Sequence, residues 1–335
     1  VTHLNGKKET WHEADEVIAA IKEHDSFLIT SHISIDGDAI SSELALSKVL
    51  EKLGKKSWIV NESRVPHILD FLPGLDRMKQ WPEMPSEKWD AVFILDLGKW
   101  TRMGRVQEAI SKDSEFIIDI DHHRSTTGCG TVSLIDSTMS STGELLYEFF
   151  RYAGFQIDAD IALLLYVAVV TDTGRFSFDN TTVRTHRNVA ELMECGVDTQ
   201  YVTNMIYRRQ KLAQFRLFER ALSSLSVNRS GEIAWIVLRK KDFEETGTSA
   251  LMTQEFIETP RSIEGIKLGI FFREMDEPGK VKVSMRSNIG FDLNNFSAPY
   301  GGGGHAAAAG ISLKASIEEA IDTIIPALET ALAGL

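Results

Sequence analysis

Asp121-His122-His123 directly follows the apolar run Phe116-Ile117-Ile118-Asp119-Ile120. The run reads as a buried strand, so the three side chains emerge at its carboxyl end. In an open α/β sheet that edge is where ligands bind. Two more acidic sites share the setting. His32-Ile33-Ser34-Ile35-Asp36-Gly37-Asp38 follows Phe27-Leu28-Ile29-Thr30, and Asp96 closes Ala91-Val92-Phe93-Ile94-Leu95. Asp172 comes after the apolar stretch 161–170, in Thr171-Asp172-Thr173-Gly174-Arg175-Phe176. The pooled donors are His32, Asp36, Asp38, Asp96, Asp121, His122, His123 and Asp172. They are mainly hard oxygen with some imidazole and no thiolate, which suits Mn²⁺ or Mg²⁺ better than structural zinc. Two such ions about 3.5–4 Å apart can hold a hydroxide and clamp a phosphoryl oxygen for in-line attack.

Each site taken alone has an ordinary structural explanation. Asp38 just before a helix reads as an N-cap, and Asp-Gly is a common turn signal in which Gly37 lets the backbone turn tightly. Asp96 could simply form a turn, and Asp172 could end a helix with Gly174 as its C-terminal cap. A carboxylate at the end of a buried helix is nevertheless costly unless it is paired or bound. The case for chemistry is the recurrence of the same donor types at several strand and helix ends.

A second conspicuous stretch is Gly301-Gly302-Gly303-Gly304-His305, followed by Ala306-Ala307-Ala308-Ala309-Gly310. A bare glycine run is most simply a hinge. Here consecutive glycines would let backbone N–H groups approach an anion. The small residues behind them are expected to start a helix facing that anion, and Arg286-Ser287 on a preceding strand would assist. No Gly-Lys-Ser/Thr follows, so this is not a Walker A loop. Ser41-Ser42 and Ser140-Ser141 lack a G-x-S-x-G context, which leaves no good serine nucleophile.

The elements that must position these groups alternate in the first half of the chain. Strands are expected at 27–31, 57–60, 90–96 and 115–120, with a helix at 39–53 stopped by Gly54. Uninterrupted apolar strands suit a parallel sheet covered on both faces. Helices are expected at 141–152, 160–170 and 182–195, and 201–222 is helix-like but polar. The remainder changes character. Strand pairs at 225–228 with 233–238, and at 266–272 with 280–285, precede a closing helix at 317–332 that Pro326 should kink or split. The fold class expected is α/β: a parallel-sheet domain with helices on both faces over residues 1–196, a connector at 197–213, and a smaller α+β domain over 214–335.

The chain has 335 residues and a net charge of -12, so it should be repelled by long polyanions. A nucleic-acid ligand would be short or gripped locally. Cys129 and Cys195 form no zinc or CxxC pattern and read as reduced thiols of a cytoplasmic protein. The opening Val1-Thr2-His3-Leu4-Asn5 does not read as a signal peptide, and no apolar run is long enough for a membrane span. No charge run points to a membrane, no motif identifies a protein partner, and homo-oligomerisation stays open.

Combined, His32 to Asp38, Asp96, Asp121-His122-His123, Thr171 to Phe176 with Asn180-Thr181-Thr182, and Gly302-Gly303-Gly304-His305 resemble the DHH phosphoesterase superfamily. Within it, they resemble the NrnA-type oligoribonucleases, some of which also act as phosphoadenosine phosphate phosphatases. The resemblance runs from about His32 to Gly310. It implies two Mn²⁺ ions in a cleft between a catalytic domain and a substrate-binding domain. His32, Asp36 and Asp96 would hold one ion; Asp38, Asp96, His122 and Asp172 the other, with Asp96 shared. Asp121 would orient the site from behind and His123 would contact the scissile phosphate. Arg286, Ser287, Gly302, Gly303, Gly304 and His305 would hold the substrate. Ile35 and Arg124 stand where the family commonly has Pro, and Ser41 where it often has Gly; none of these removes a ligand. The activity implied is hydrolysis of short RNA to nucleoside monophosphates. The alternatives are 3′-dephosphorylation of phosphoadenosine phosphate, cleavage of cyclic or linear dinucleotides, and, from another class, a nucleotide-binding regulator that has lost turnover.

Overall fold

Six strands form a fully parallel sheet: β1 (Ser26–Thr30), β2 (Lys56–Asn61), β3 (Met78–Gln80), β4 (Ala91–Leu95), β5 (Phe116–Asp121) and β6 (Val132–Ile135). The computed structural model describes residues 11–110, 115–123, 126, 128–253 and 255–334. Val1 to Asn5 and Arg124 lie outside the described residues. The strand order is β3-β2-β1-β4-β5-β6. The order reverses between β1 and β4, so the connections leaving them run in opposite directions and open a crevice at their carboxyl ends.

Continuous apolar strands explain why both faces of this sheet are covered. Phe27 and Ile29 of β1, Phe93 of β4 and Ile118 of β5 join one core; Leu28, Val92, Ile94 and Ile117 join another on the opposite face. Each fully buried side chain of this size contributes roughly 1.5–3 kcal/mol. The first core takes the α-helices: α1 (His12–Glu23), α2 (Gly37–Lys52), α3 (Thr142–Ala153), α4 (Ala159–Asp172), α5 (Val183–Glu194) and α6 (Thr199–Tyr207). The second core is covered by the 3₁₀ stretch Trp100–Ala109, which supplies Met103 and Val106, and by Trp81, Met84 and Trp89.

Helix α4 is apolar on every side and buried from Ile161 to Val170 apart from Leu163, as a helix enclosed by neighbours must be. Two glycines let its end come close to the starts of α2 and α3. A Cβ on Gly37 would lie 2.5 Å from Thr171 Oγ1, and one on Gly143 would lie 2.2 Å from Ala168 Cβ. Gly37 is therefore required by close packing, not by the tight turn expected from Asp-Gly. Asp36, not Asp38, is the N-cap of α2, accepting from Ala39 N at 3.1 Å. Asp38 already lies within the helix.

The chain divides into two compact units, Val1–Arg209 and Gln210–Leu335. Val202 and Ile206 of α6 belong to the first core, and the polar stretch expected as one helix breaks between α6 and α7 (Leu212–Ser223). The second unit carries β7 (Ser226–Val227), β8 (Ile233–Leu238), α8 (Lys240–Thr246), α9 (Glu258–Arg261), β9 (Leu268–Glu274), β10 (Lys280–Ser287), α10 (Leu293–Ser297), β11 (Gly303–His305), β12 (Ala308–Lys314) and α11 (Ile317–Ala333). Its sheet order is β11-β12-β10-β9-β8-β7, with β8 and β9 parallel and the other pairs antiparallel.

Helix α11 packs Ile324 and Leu328 against β9 and β10 residues such as Phe272 and Val283. It runs unbroken through Pro326, contrary to the expected kink or split. Pro326 is exposed, so the carbonyl that it leaves without an N–H faces water, while apolar burial holds the turns on either side. After the glycine run, Ala306 and Ala307 form a turn and Ala308 and Ala309 begin β12, rather than a helix. Pairing of Ala308 to Lys314 with β10 satisfies their backbone across seven registered positions, which local helix propensity cannot match.

Candidate metal centre

The crevice between β1 and β4 collects the acidic groups. Asp96 leaves β4 with φ +54, a left-handed conformation that Asp tolerates better than most residues. Its two oxygens face different partners. Oδ2 lies 3.6 Å from His32 Nε2, and Oδ1 lies 3.5 Å from His122 Nε2 and 3.4 Å from His123 Nδ1. His32 Nε2 also stands 3.7 Å from Asp36 Oδ2. His122 Nε2 stands 3.8 Å from Asp38 Oδ2 and 3.5 Å from Asp172 Oδ2. Three donor groups result: His32, Asp36 and Asp96; Asp38, His122 and Asp172; Asp96, His122 and His123. Asp96 links the first to the third.

Donor–donor separations provide a test of fit. These nitrogen–oxygen gaps are too long for hydrogen bonds. Two ligands each about 2.1 Å from a common ion stand roughly 3.0–3.6 Å apart, depending on the angle between the bonds. The observed 3.4–3.8 Å spacings approach that geometry. Charge gives the second test. Burial, then the negative charges of Asp96, Asp172 and Asp36, pushes the Asp38 carboxyl well above the ordinary range. Asp172 is pushed up to about 7, chiefly by burial, with Asp96 and Asp36 adding to it against the pull of His122. Burial also opposes ionisation of Asp96, but His32, His122 and His123 outweigh it and hold its carboxyl below the ordinary value. So many buried carboxylates cannot all ionise without opposite charge among them. Divalent cations fit this donor set.

The candidate ligand side chains are held from behind. His32 Nδ1 contacts the Ile33 carbonyl at 2.8 Å, which aims Nε2 at the carboxylates. Asp121 is buried and its carboxylate is saturated. Oδ1 accepts from His123 N (2.9 Å) and pairs with His123 Nδ1 (2.7 Å); Oδ2 accepts from Gly98 N and Thr126 Oγ1, each at 2.7 Å. Burial would raise its pKa, but these partners, His123 first, hold it at about 2. For His123 the order is the same: burial works against its charge, yet Asp121 and Asp96 raise it to about 9. Those carboxylates favour the charged form of His123 in the metal-free protein.

Several contributors had no role of this kind assigned from the sequence. The start of α3 grips Asp38: Thr142 N donates to Oδ2 at 2.7 Å and Gly143 N to Oδ1 at 2.9 Å. Thr142 Oγ1 donates to Asp96 Oδ1 at 3.0 Å. Ser141 caps that helix, and the buried Glu144 accepts from Ser140 N at 2.7 Å and from Asn188 Nδ2 at 3.0 Å. Asn180 Nδ2 donates to the Ser140 and Asp172 carbonyls at 2.8 and 3.1 Å. Arg102 donates to the Leu97 carbonyl at 3.2 Å, its guanidinium beside Gly98 near His123. A legible signal existed in Ser141-Thr142-Gly143-Glu144, a serine cap with Glu three residues on.

The C-terminal residues gather less completely. Arg286 is half-buried, pairs with Glu258 at 3.5 Å and lies level with Ala308 and the backbone of His305. Ser287 is on the other face, because strand side chains alternate. Its hydroxyl accepts from Ile289 N and Phe291 N at 3.3 and 3.1 Å, so it braces a turn. Gly302 N bonds to the Ser297 carbonyl at 3.0 Å and Gly304 N to Asn294 Oδ1 at 3.1 Å. These two amides are spent inside the protein instead of forming an open anion cradle. Gly302 and Gly304 are needed because a Cβ would meet the Gly310 carbonyl at 2.5 Å or the Ala308 carbonyl at 2.4 Å. The His305 side chain lies outside what is described.

Comparison with known proteins matches residues 26–169 to the DHH family, N-terminal domain, and residues 233–334 to the DHHA1 domain. The bifunctional oligoribonuclease and PAP phosphatase NrnA of Thermus thermophilus is 30% identical over 321 residues, covering 95% of this chain and 93% of that protein. Its Bacillus subtilis namesake is 28% identical, covering 94% and 97%. The crystal structure of an exopolyphosphatase-related protein from Bacteroides fragilis superposes with a TM-score of 0.90 at 26% identity, covering 95% and 96%.

Proposed function

The chain belongs to the DHH family, and from that premise we propose that it hydrolyses short oligoribonucleotides to nucleoside monophosphates with the help of two divalent ions, Mn²⁺ first and Mg²⁺ second. One observation carries the reading. Asp96 turns one oxygen to His32 and the other to His122, at 3.6 and 3.5 Å, so a single carboxylate serves two adjoining donor groups. His32, Asp36 and Asp96 would hold one ion; Asp38, Asp96, His122 and Asp172 would hold the other. Ions bound there supply activated water and charge stabilisation of the phosphoryl group.

The side chains of this chain do the remaining work. His123, kept cationic by Asp121, would bind a non-bridging phosphate oxygen as negative charge grows there. Asp121 holds the ring through its Nδ1. Arg286 would take a phosphate of the substrate, with the glycine hairpin giving close access and Ser287 bracing the turn beyond β10. A net charge of -12 disfavours long strands. Cytoplasmic action agrees with two free cysteines, and no described helix is long and apolar enough to cross a membrane. The same centre would serve a terminal phosphate such as that of PAP, since both NrnA relatives carry both activities in their names.

Asp96→Asn is the sharpest test. Hydrolysis of a dinucleotide should drop at least about a thousandfold, and binding of Mn²⁺ followed by calorimetry should lose one site or weaken at both. Wild-type turnover by this variant would defeat the reading. Rates on di-, tetra- and long RNA beside PAP then rank the substrates.

A further inference from the structure

The face of the second sheet away from α11 is covered over β8 and β9, where Ile236, Leu238 and Phe271 pack with Leu217, Ala221, Phe256 and Ile257, and beside that cover it carries a pair of cations that the reading above does not use. Lys282 of β10 stands directly opposite Arg273 of β9, and both are half-buried. The opposite face of these strands is apolar, with Val281, Val283, Met285 and Phe272 in the core under α11. Alternation therefore directs Lys282, Ser284 and Arg286 away from that core. Among the described residues neither Lys282 nor Arg273 forms an ion pair, although Arg273 feels the charge of Asp276. Gly310 lies under the lysine: a Cβ there would come within 3.2 Å of Lys282 Nζ. Ser312 flanks the lysine on the other neighbouring strand.

Like charges facing each other across a sheet are destabilising, and half-burial adds a desolvation cost. Burial first, then the neighbouring arginine, lowers the lysine's pKa. An anion would reverse both effects. Lys282 and Arg286 are four positions apart on one strand, about 13 Å at the usual rise. One phosphate cannot reach both. Small or short side chains, Ser284, Gly310 and Ala308, line the β10–β12 side of the face between them in register, while Phe271 opposite Ser284 is buried on the β9 side, so a nucleotide backbone could lie along β10 and β12.

We infer that Lys282 and Arg273 form a second phosphate subsite, which holds a backbone phosphate of the strand beyond the one taken by Arg286. The inference rests on the proposed reading of the substrate as short RNA and adds a determinant of strand length. Dinucleotides would not reach the subsite, whereas strands of four nucleotides would.

The test is equilibrium binding of phosphorothioate di- and tetranucleotides to the full Mn²⁺-loaded chain, over a range of salt, for wild type, Lys282→Met, Arg273→Met and Lys282→Arg. The wild type should bind the tetranucleotide more tightly. Either Met variant should lose roughly tenfold on the tetranucleotide, with a shallower salt dependence, and stay within about twofold on the dinucleotide. Lys282→Arg should keep the preference. Thermal melting should be unchanged or higher in the Met variants, because a repulsion has gone. Equal binding of both lengths by the wild type, equal losses at both lengths, or a preference that survives both Met substitutions would overturn the subsite. The broader reading fails separately, if unmodified dinucleotide is not hydrolysed by the wild type.

Discussion

The N-terminal unit crowds negative charge into a buried crevice, and the C-terminal unit sets positive charges side by side on a sheet face. In the first, Asp38 and Asp96 are almost fully buried within reach of Asp172. In the second, Lys282 and Arg273 oppose each other across two strands. The supports differ as well. The acidic crevice is braced by backbone N–H groups at the start of α3, by Thr142 and by histidines with fixed partners. On the basic face, among the described residues, Lys282 stands over Gly310 without an ion pair. A rigid site suits ions that need several ligands in one geometry. A looser basic face suits a phosphate strand recognised by charge. Histidines offset only part of the first cluster's charge, and each cluster suits a ligand of opposite sign.

The largest expected effect that would break this comparison lies in the bracing. Glu144→Gln leaves the size of the side chain unchanged but weakens its grip on Ser140 N and so on the turn that delivers the Thr142 and Gly143 amides to Asp38. Mn²⁺ affinity measured by calorimetry should fall about 10- to 100-fold, the usual cost of disturbing partners behind metal ligands. KM for a dinucleotide at saturating metal should change little. Unaltered metal affinity would mean that the crevice does not depend on α3.

Gly143→Ala acts next, through packing. The new methyl would meet Ala168 and push α4, with Asp172, away from Asp38. Overpacking of this kind costs about 1–3 kcal/mol, measurable by urea unfolding of the metal-free chain. An unchanged midpoint would show that the two helices part without strain.

The smallest effects are those of pH. The folded pKa of Asp172, about 7, is raised above the unfolded value. Proton binding therefore stabilises the metal-free fold below the unfolded value, and that stability is lost as pH rises through about 7. Added Mn²⁺ should raise the melting temperature more at pH 8 than at pH 5, because metal replaces protons on the same oxygens. His123 is raised to about 9 and Asp121 lowered to about 2. The stability from the His123 charge is complete below the unfolded imidazole value and disappears as pH rises through about 9. That from Asp121 is present above the unfolded carboxyl value and disappears as pH falls through about 2. NMR titration of the metal-free chain should place the His123 midpoint far above an ordinary imidazole; a midpoint near 6.5 would remove the proposed phosphate contact.

Much of this was legible from residues read in a line. Apolar runs at 27–30, 91–95 and 116–120 announced buried strands, and the acidic and imidazole residues behind them announced a ligand edge, because side-chain chemistry and strand ends are local properties. The glycine run was conspicuous but misleading. Ala306 to Gly310 looked helical by composition, yet cross-strand pairing with β10 made a hairpin. Gly37 looked like a turn former, yet it is a contact point with Thr171.

Residue types and local pattern were enough to specify the donor chemistry, the parallel first sheet and the family. They could not say that Asp38 would be met by amides 104 and 105 positions away. Nor could they say that Ser287 would turn from Arg286. Those outcomes depend on helix packing, strand register and the direction in which each side chain leaves the backbone. Such relations between distant segments exist only once the chain has closed on itself, because only packing brings them within the few ångströms over which hydrogen bonds and charges act.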